Sequence, residues 1–391
     1  MCELRVFMNT QEIVSSIALT KLNGLSLLNA RTLLDSLGSA SEVFAHRKDI
    51  VGVIPDASKR LVAAFDHTDE ALRLAEEEMK FVEQKRLKVL TLNDVDYPQR
   101  LRECEDAPLV LYYCGSANLN SRHIVSIVGT RKCSEYGREV CNNFIADLKR
   151  YYPDTLIVSG LAYGIDVCAH RAALDNGMST IGVLAHGLDT IYPSMHRQIA
   201  ADMVHRQGGL LTEYGVHTTP EKGNFVRRNR IVAGMCDACI VVESSERGGS
   251  LITAELAMEY NRDVFAFPGR VYDEYSRGCN NLIRRQQATL LTCAADLLDA
   301  MGWDNPLKKD SKRKVVQQEL FPDLTDEERA LVNTLKDVDD KHVNQIAIDA
   351  NIPYSRASMI LFDLEMKGIV RALGGARYKI IHNSKFIIQN S

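Results

Sequence analysis

Glycines, arginines and one aromatic recur in this chain in groups that can hold phosphate. The groups are Gly129-Thr130-Arg131, Ser159-Gly160, Phe225 with Arg228-Asn229-Arg230, and Gly249-Ser250. Glycine at a turn lets the backbone approach a phosphate, and N–H groups left bare at a helix start attract the anion. Arg131 supplies a charged fork that matches phosphate oxygens. Ser159 is a hydroxyl donor beside Gly160, and Ser250 is a natural helix N-cap in the loop Arg247-Gly248-Gly249-Ser250. Phe225 followed by Arg227, Arg228 and Arg230 is the densest basic cluster of the central region. An aromatic among arginines suits a surface that tracks a strand's backbone and stacks its bases. The cluster is expected to open a helix. Arg228 and Arg230, two residues apart, then point to different sides. One faces a ligand and the other braces the loop through a carboxylate.

Acid–base candidates are fewer. Asp166 and His170 lie one helical turn apart and would serve a hydrolase as a pair. The preferred reading of Asp166 is a helix-starting carboxylate bonded to nearby backbone amides. Glu255 falls within the first turns of the helix after the Gly248-Gly249 loop, the best-placed carboxylate for chemistry on a bound nucleotide. Pairing with the helix dipole or with an arginine explains it without catalysis. Cys236-x-x-Cys239 has the spacing of half a zinc site, but no second pair follows, so both are read as buried free thiols. No catalytic residue, metal or cofactor is expected.

The 391 residues are enough for two or three domains, and the net charge of −4 gives no global sign of a nucleic-acid binder. A nucleic-acid role must rest on a local basic patch. Ten cysteines without paired spacing, no signal peptide and no membrane-spanning apolar run point to a reducing, cytoplasmic setting.

The elements that position these groups alternate. Residues 10–86 read as helical. Within them, Leu22-Asn23-Gly24-Leu25-Ser26 fits a helical hairpin that can present amides to a DNA phosphate, with Ser26 where a second glycine is usual. A small packing bundle fits the same stretch. Strands are expected near 87–92, 107–115, 124–128, 155–159, 180–185, 209–213, 238–243, 263–267 and 288–292. Helices are expected near 136–150, 165–176, 194–206, 228–235, 250–261 and 277–286. Short apolar runs feeding helices define a doubly wound, mainly parallel α/β sheet over 87–302. Residues 303–324 are charged, carry two prolines and read as a linker. Thr325 and Glu328 have capping-box spacing. Helices near 325–336, 343–350 and 354–367, then a hairpin over 369–381 turning at Gly374-Gly375, make a winged-helix domain over 325–391.

Together these motifs resemble the DprA/Smf family of bacterial DNA-processing proteins. The resemblance is carried by Asp96-Tyr97-Pro98, Ile127-Val128-Gly129-Thr130-Arg131, Ser159-Gly160-Leu161-Ala162 with Gly164-Ile165-Asp166, Gly187-Leu188-Asp189 with Tyr192-Pro193, and Glu213-Tyr214-Gly215. Phe225 with Arg228-Asn229-Arg230, Gly249-Ser250-Leu251-Ile252-Thr253, and Pro268-Gly269 with Gly278-Cys279-Asn280 complete it. The resemblance implies that residues 87–302 are an extended Rossmann-like core that binds single-stranded DNA and forms a homodimer. It implies a helix-hairpin-helix or SAM-like domain over 1–86, and the RecA recombinase as a partner loaded onto incoming strands in natural transformation. It implies no catalysis and no membrane. Arg131 stands where the family's arginine contacts DNA. The lysine usual after Tyr-Pro is Ser194 here, and Arg197, one turn on, is the candidate substitute. Ala185 and Val226 replace a usual Gly and Pro. The competing class is a phosphoribohydrolase of the lysine-decarboxylase-like type, which shares a related sheet. Its Gly-Gly-x-Gly-Thr-x-x-Glu loop is only partly matched by residues 248–255.

Overall fold

A computed structural model describes residues 2–54, 57–304, 324–335, 338 and 340–381, with only the backbone for residues 2–9. Most of the expected 303–324 linker and the end of the 325–391 module, from residue 382, lie outside the described residues. The chain forms two compact units, residues 1–260 with 264–290, and 261–263 with 291–391.

The first unit opens with helices α1 (Cys2–Lys21), α2 (Leu27–Leu37), α3 (Ala40–Ala45), α4 (Ile50–Val53), α5 (Lys59–Ala64) and α6 (Thr68–Lys85). Ser26, in the hairpin between α1 and α2, accepts from the Asn29 amide at 3.2 Å and so caps α2. Ile17, Leu33, Val43 and Phe44 share one apolar cluster with Val110 and Tyr112, so the helices pack against the sheet.

The sheet region follows in the order β1 (Lys88–Thr91), α7 (Gln99–Arg102), β2 (Val110–Gly115), β3 (Ile124–Val128), α8 (Glu135–Tyr151), β4 (Leu156–Ser159), α9 (Ile165–Asp175) and β5 (Thr180–Val183). It continues with α10 (Arg197–His205), β6 (Gly209–Thr212), α11 (Lys222–Gly234), β7 (Ala238–Val241), α12 (Gly249–Glu259), β8 (Asp263–Ala266), α13 (Arg277–Arg284) and β9 (Thr289–Leu290). These form one nine-stranded sheet in the order β1-β2-β6-β5-β4-β3-β7-β8-β9. Strands β3 to β6 run parallel, as do β3 and β7, while β1 and β2 add an antiparallel edge. β3, β4, β5 and β7 are buried along their whole length. Helices cover both faces of a parallel sheet, which is why these strands are unbroken apolar runs. From β3 the chain winds first toward β6 and then, through β7, toward β9. The connections diverge between β3 and β7, and a crevice opens there at the carboxyl ends of the strands.

α7 and α14 were not expected, and one expected helix starts well before its predicted bound. α11 starts at Lys222, six residues before the expected 228. Gly223 did not break it, because nothing lies within 4 Å of the Cβ position at this residue and glycine is tolerated in an exposed first turn. Arg228 and Arg230 therefore sit in mid-helix.

The second unit holds α14 (Ala294–Met301), α15 (Asp326–Asn333), β10 (Lys341–His342), α16 (Val343–Asp349), α17 (Tyr354–Met366), β11 (Val370–Leu373) and β12 (Arg377–Ile380). Its three antiparallel strands lie in the order β10-β12-β11. Thr325 caps α15 reciprocally with Glu328, at 2.8 and 3.3 Å. Gly375, in the β11–β12 turn, has φ +74°.

Candidate nucleic-acid interface

The crevice between β3 and β7 is lined by Gly129, Thr130, Arg131, Gly160, Phe225, Arg228, Asn229, Gly249 and Ser250 from the sequence-derived set. Its first wall is the β3–α8 loop. The Thr130 amide donates to the Glu243 carbonyl at 2.7 Å, and the Ser134 amide donates to the Glu243 carboxylate at 2.8 Å. The buried Glu243 thus fixes both ends of a short span that carries Arg131. Gly129 is required by close approach, since a Cβ there would meet the Ile165 side chain at 2.5 Å and the Glu243 carbonyl at 2.9 Å. Arg131 is exposed, and its guanidinium carbon lies 5.4 Å from the centre of the Phe225 ring. It forms no ion pair with a described carboxylate. The ring orients it as a cation–π partner and leaves its donors to solvent.

The floor is built by Arg228 and Asp166. Arg228 is buried and donates to the Val183 carbonyl at 2.6 Å, while its Nε lacks a hydrogen-bond partner among the described residues. Asp166 accepts from the amides of Gly160 at 3.1 Å and Ala162 at 3.4 Å. Burial pushes the Asp166 carboxyl up and the Arg228 guanidinium down, and each is the main counterweight for the other. The attraction between them opposes both shifts. A Cβ on Gly160 would overlap the Arg228 guanidinium, so only glycine admits this packing.

Several expected donors are spent or lie elsewhere. Ser159 is fully buried, and its hydroxyl donates to the Ile127 carbonyl at 2.6 Å, so it does not reach a ligand. Ser250 is not the N-cap: α12 begins at Gly249 with Gly248 as its cap, and the buried Ser250 hydroxyl donates to Ser244 Oγ at 2.9 Å. Arg230 points away from the crevice. It pairs with the Glu213 carboxylate and donates to the Asp106 carbonyl, so it braces the structure. Burial pushes Glu213 up, and Arg230 is the first group opposing that shift. Arg197 is exposed at the start of α10 and does not line the crevice.

The acid–base pair does not form. His170 is fully buried with its Nδ1 2.7 Å from Thr180 Oγ1, and burial pulls its pKa down to about 3. Asp166 is turned to the Gly160 and Ala162 amides instead, as preferred from sequence. Glu255 is exposed on α12 and does not line the crevice. Cys236 and Cys239 are buried, and among the described residues no group of three or more potential ligands is placed to hold a metal ion.

Three contributors were missed. Glu243 stands between β7 and the Gly248-Gly249 loop and gave no spacing signal for its reach to the β3–α8 loop. Tyr192 packs on Phe225 with ring centres 5.7 Å apart and is 46% exposed; Tyr163, 40% exposed, packs edge-on to His196. The tyrosines extend the apolar side of the lip that Phe225 begins. Tyr192 stood in the quoted Tyr192-Pro193 motif and Tyr163 between the quoted Ala162 and Gly164, so an aromatic count around the turns would have found both.

Fold and crevice together define a doubly wound α/β protein with a cationic, glycine-lined binding cleft at its topological switch point. The chain belongs to the DNA recombination-mediator protein A family, whose family model matches residues 88–302. It is 45% identical over 202 residues to the DNA processing protein DprA of Streptococcus pneumoniae, covering 52% of this chain and 70% of that protein. It is 33% identical over 313 residues to protein Smf of Escherichia coli K12, covering 78% and 80%. The X-ray structure of the S. pneumoniae protein aligns with TM-score 0.55 and 34% identity, over 70% of this chain and 98% of that one. A structure of DNA processing protein A from Helicobacter pylori, described for its single-stranded DNA binding mode, aligns with TM-score 0.50 and 28% identity, over 56% and 99%. The family is one of DNA recombination mediators. Among the described residues no helix is long and apolar enough to cross a membrane.

Proposed function

We propose that this protein binds single-stranded DNA across the β3–β7 crevice and loads the RecA recombinase onto it. The observation that carries the reading is Arg131, exposed and without an ion-pair partner among the described residues, held against Phe225 at the lip of a crevice with glycine turns from β3, β4 and β7. Phosphate enters where backbone amides and Arg131 meet, and bases stack on the Phe225 and Tyr192 side. Arg228 supports the phosphate site from the floor with its unused Nε donor. This set of groups reads backbone and ring faces and has no base-edge code, so binding is indifferent to sequence. The single-stranded binding described for the H. pylori relative supports the same assignment.

The finer parts of the reading come with the family. The core forms a homodimer, the partner is RecA, and the setting is cytoplasmic, in natural transformation. The segment 1–86 acts as a SAM-like helical domain and 325–391 as a winged helix, and both modulate binding without creating it.

The test is a mobility shift with a single-stranded oligonucleotide and a blunt duplex of equal length. Single strands are expected to bind more tightly, and equal or tighter duplex binding overturns the reading. RecA loading is tested by whether the protein shortens the lag of RecA assembly on strands precoated with a single-strand-binding protein.

A further inference from the structure

The outward face of α17 is apolar. Met359, Phe362 and Met366 are 59%, 60% and 75% exposed, and Ser355 continues their row toward the helix start. The steps along this row are four, three and four residues, the spacing of a helix-pairing seam. Ala357, Ile360, Leu361 and Leu364 are the buried positions, so the row lies opposite the face that the module's own core uses. Three large apolar side chains in one contiguous exposed row mark an interaction surface.

The chemistry of this face is unlike that of a helix that reads duplex DNA, which needs free arginine, lysine, asparagine or glutamine. Cations around it are paired within the module: Arg356 with Glu327 at 2.8 Å, Lys367 with Glu328 at 2.5 Å, and Lys379 with Asp304 at 2.7 Å. Arg377 and Lys341 pair likewise with Asp340 and Asp349.

We propose that the outward face of α17 docks a second copy of this chain, the two α17 helices pairing antiparallel about a twofold axis along Met359, Phe362 and Met366. The charge pattern selects a second copy over an unrelated partner. Arg356 and Asp363 lie seven residues apart on the same edge of the row. In an antiparallel pair centred between Met359 and Ile360, that edge meets its own copy. Arg356 then comes level with the partner's Asp363, and the twofold axis repeats the match. The opposite edge carries Ser358 and Glu365, and the same centring keeps the two Glu365 side chains at opposite ends. The Arg356–Glu327 pair is half-exposed and therefore weak, so Arg356 is free to share its charge across the interface. The inference stands independently of the crevice and of any dimer made through the sheet.

The test uses the full chain with Phe362 replaced by photoreactive p-benzoylphenylalanine, mixed as 14N and 15N copies. Irradiation is expected to join heavy to light copies at residues 355–366. Cross-links within one copy, cross-links to other regions, or none at all overturn the proposal. Asp363→Arg in the same chain sets two arginines against each other and is expected to cut the inter-copy yield by about fivefold, with Arg356→Asp added to it restoring about half or more. Unchanged yield in Asp363→Arg overturns the antiparallel register. A duplex-DNA shift that Phe362→Ala abolishes, with circular dichroism unchanged, makes α17 a DNA face and overturns the proposal too.

Discussion

Replacing Arg131 by alanine separates a ligand contact from a structural one. Its guanidinium is exposed, unpaired among the described residues and 5.4 Å from the Phe225 ring centre. In the free protein the substitution removes only an exposed cation–π contact, about 0.5–1 kcal/mol, so the melting temperature moves by a few degrees at most. With a strand bound it removes a charge-assisted phosphate hydrogen bond of about 1.5–3 kcal/mol, or roughly ten- to a hundredfold in affinity. Because one phosphate is no longer neutralised, the log–log salt dependence should also become shallower by about 0.7. Fluorescence anisotropy of a labelled single strand over a salt series reads both quantities in one experiment. An Arg131→Ala variant that binds as wild type does, with an unchanged salt slope, would refute the crevice as the DNA surface. A variant that loses affinity together with several degrees of melting temperature would show that Arg131 is structural and that the argument from its exposure fails.

Arg230→Ala should do the reverse: it strands the largely buried Glu213 carboxylate and costs about 3–5 kcal/mol of stability in thermal or urea unfolding, while the folded variant binds single strands within about twofold of wild type. Phe225→Ala should weaken binding by about 1–3 kcal/mol, with no change across oligonucleotides of different base composition and no loss of salt slope. His170 titrates with a folded pKa near 3, below its unfolded value, so the unfolded chain takes up the proton first as pH falls. The stability that neutral, buried His170 contributes is complete above pH ~6.5 and is lost progressively toward the folded pKa. The stability difference between wild type and His170→Gln, from urea titrations, should therefore fall by about 2 kcal/mol between pH 7 and pH 5; a difference independent of pH would show that His170 titrates in the fold as it does in the unfolded chain.

The parallel strands were legible because covering both faces of a sheet leaves an unbroken apolar run, and Ile124–Val128 and Ala238–Val241 are such runs. The turns after them were legible because glycine is required by close approach, as at Gly129 and Gly160. What a side chain does inside a turn was less legible. Ser159 and Ser250 have the right chemistry for phosphate, yet each satisfies a buried acceptor of the fold first. A sequence shows that a hydroxyl is present, and only the packing shows which acceptor lies nearest. The different directions of Arg228 and Arg230 were anticipated from their two-residue separation, although α11 begins earlier than expected and both sit in its middle. Arg197 failed for the same reason as the hydroxyls: one turn of spacing from Ser194 fixes a distance along the chain and not a direction in space.

The residues that remain available at the crevice decide between holding a strand and turning one over. Asp166 is the carboxylate among its described lining residues, and its Oδ2 accepts from the Gly160 and Ala162 amides. An acid tied to its own loop shapes that loop and has little freedom to accept a proton from substrate. The neighbouring imidazole of His170 is kept neutral and engages Thr180 on the far side. Ser159 and Ser250 are the obvious hydroxyl nucleophiles, and both donate inward. What faces the opening is the Arg131 fork, the glycine turns at three strand ends and the faces of two aromatic rings. All of these attract phosphate or stack bases, and none can exchange a proton near neutral pH. Arg228 and Asp166 shape the floor from opposite sides of the Gly160 turn: Asp166 accepts from its amides, and the Arg228 guanidinium packs where a Cβ on Gly160 would lie.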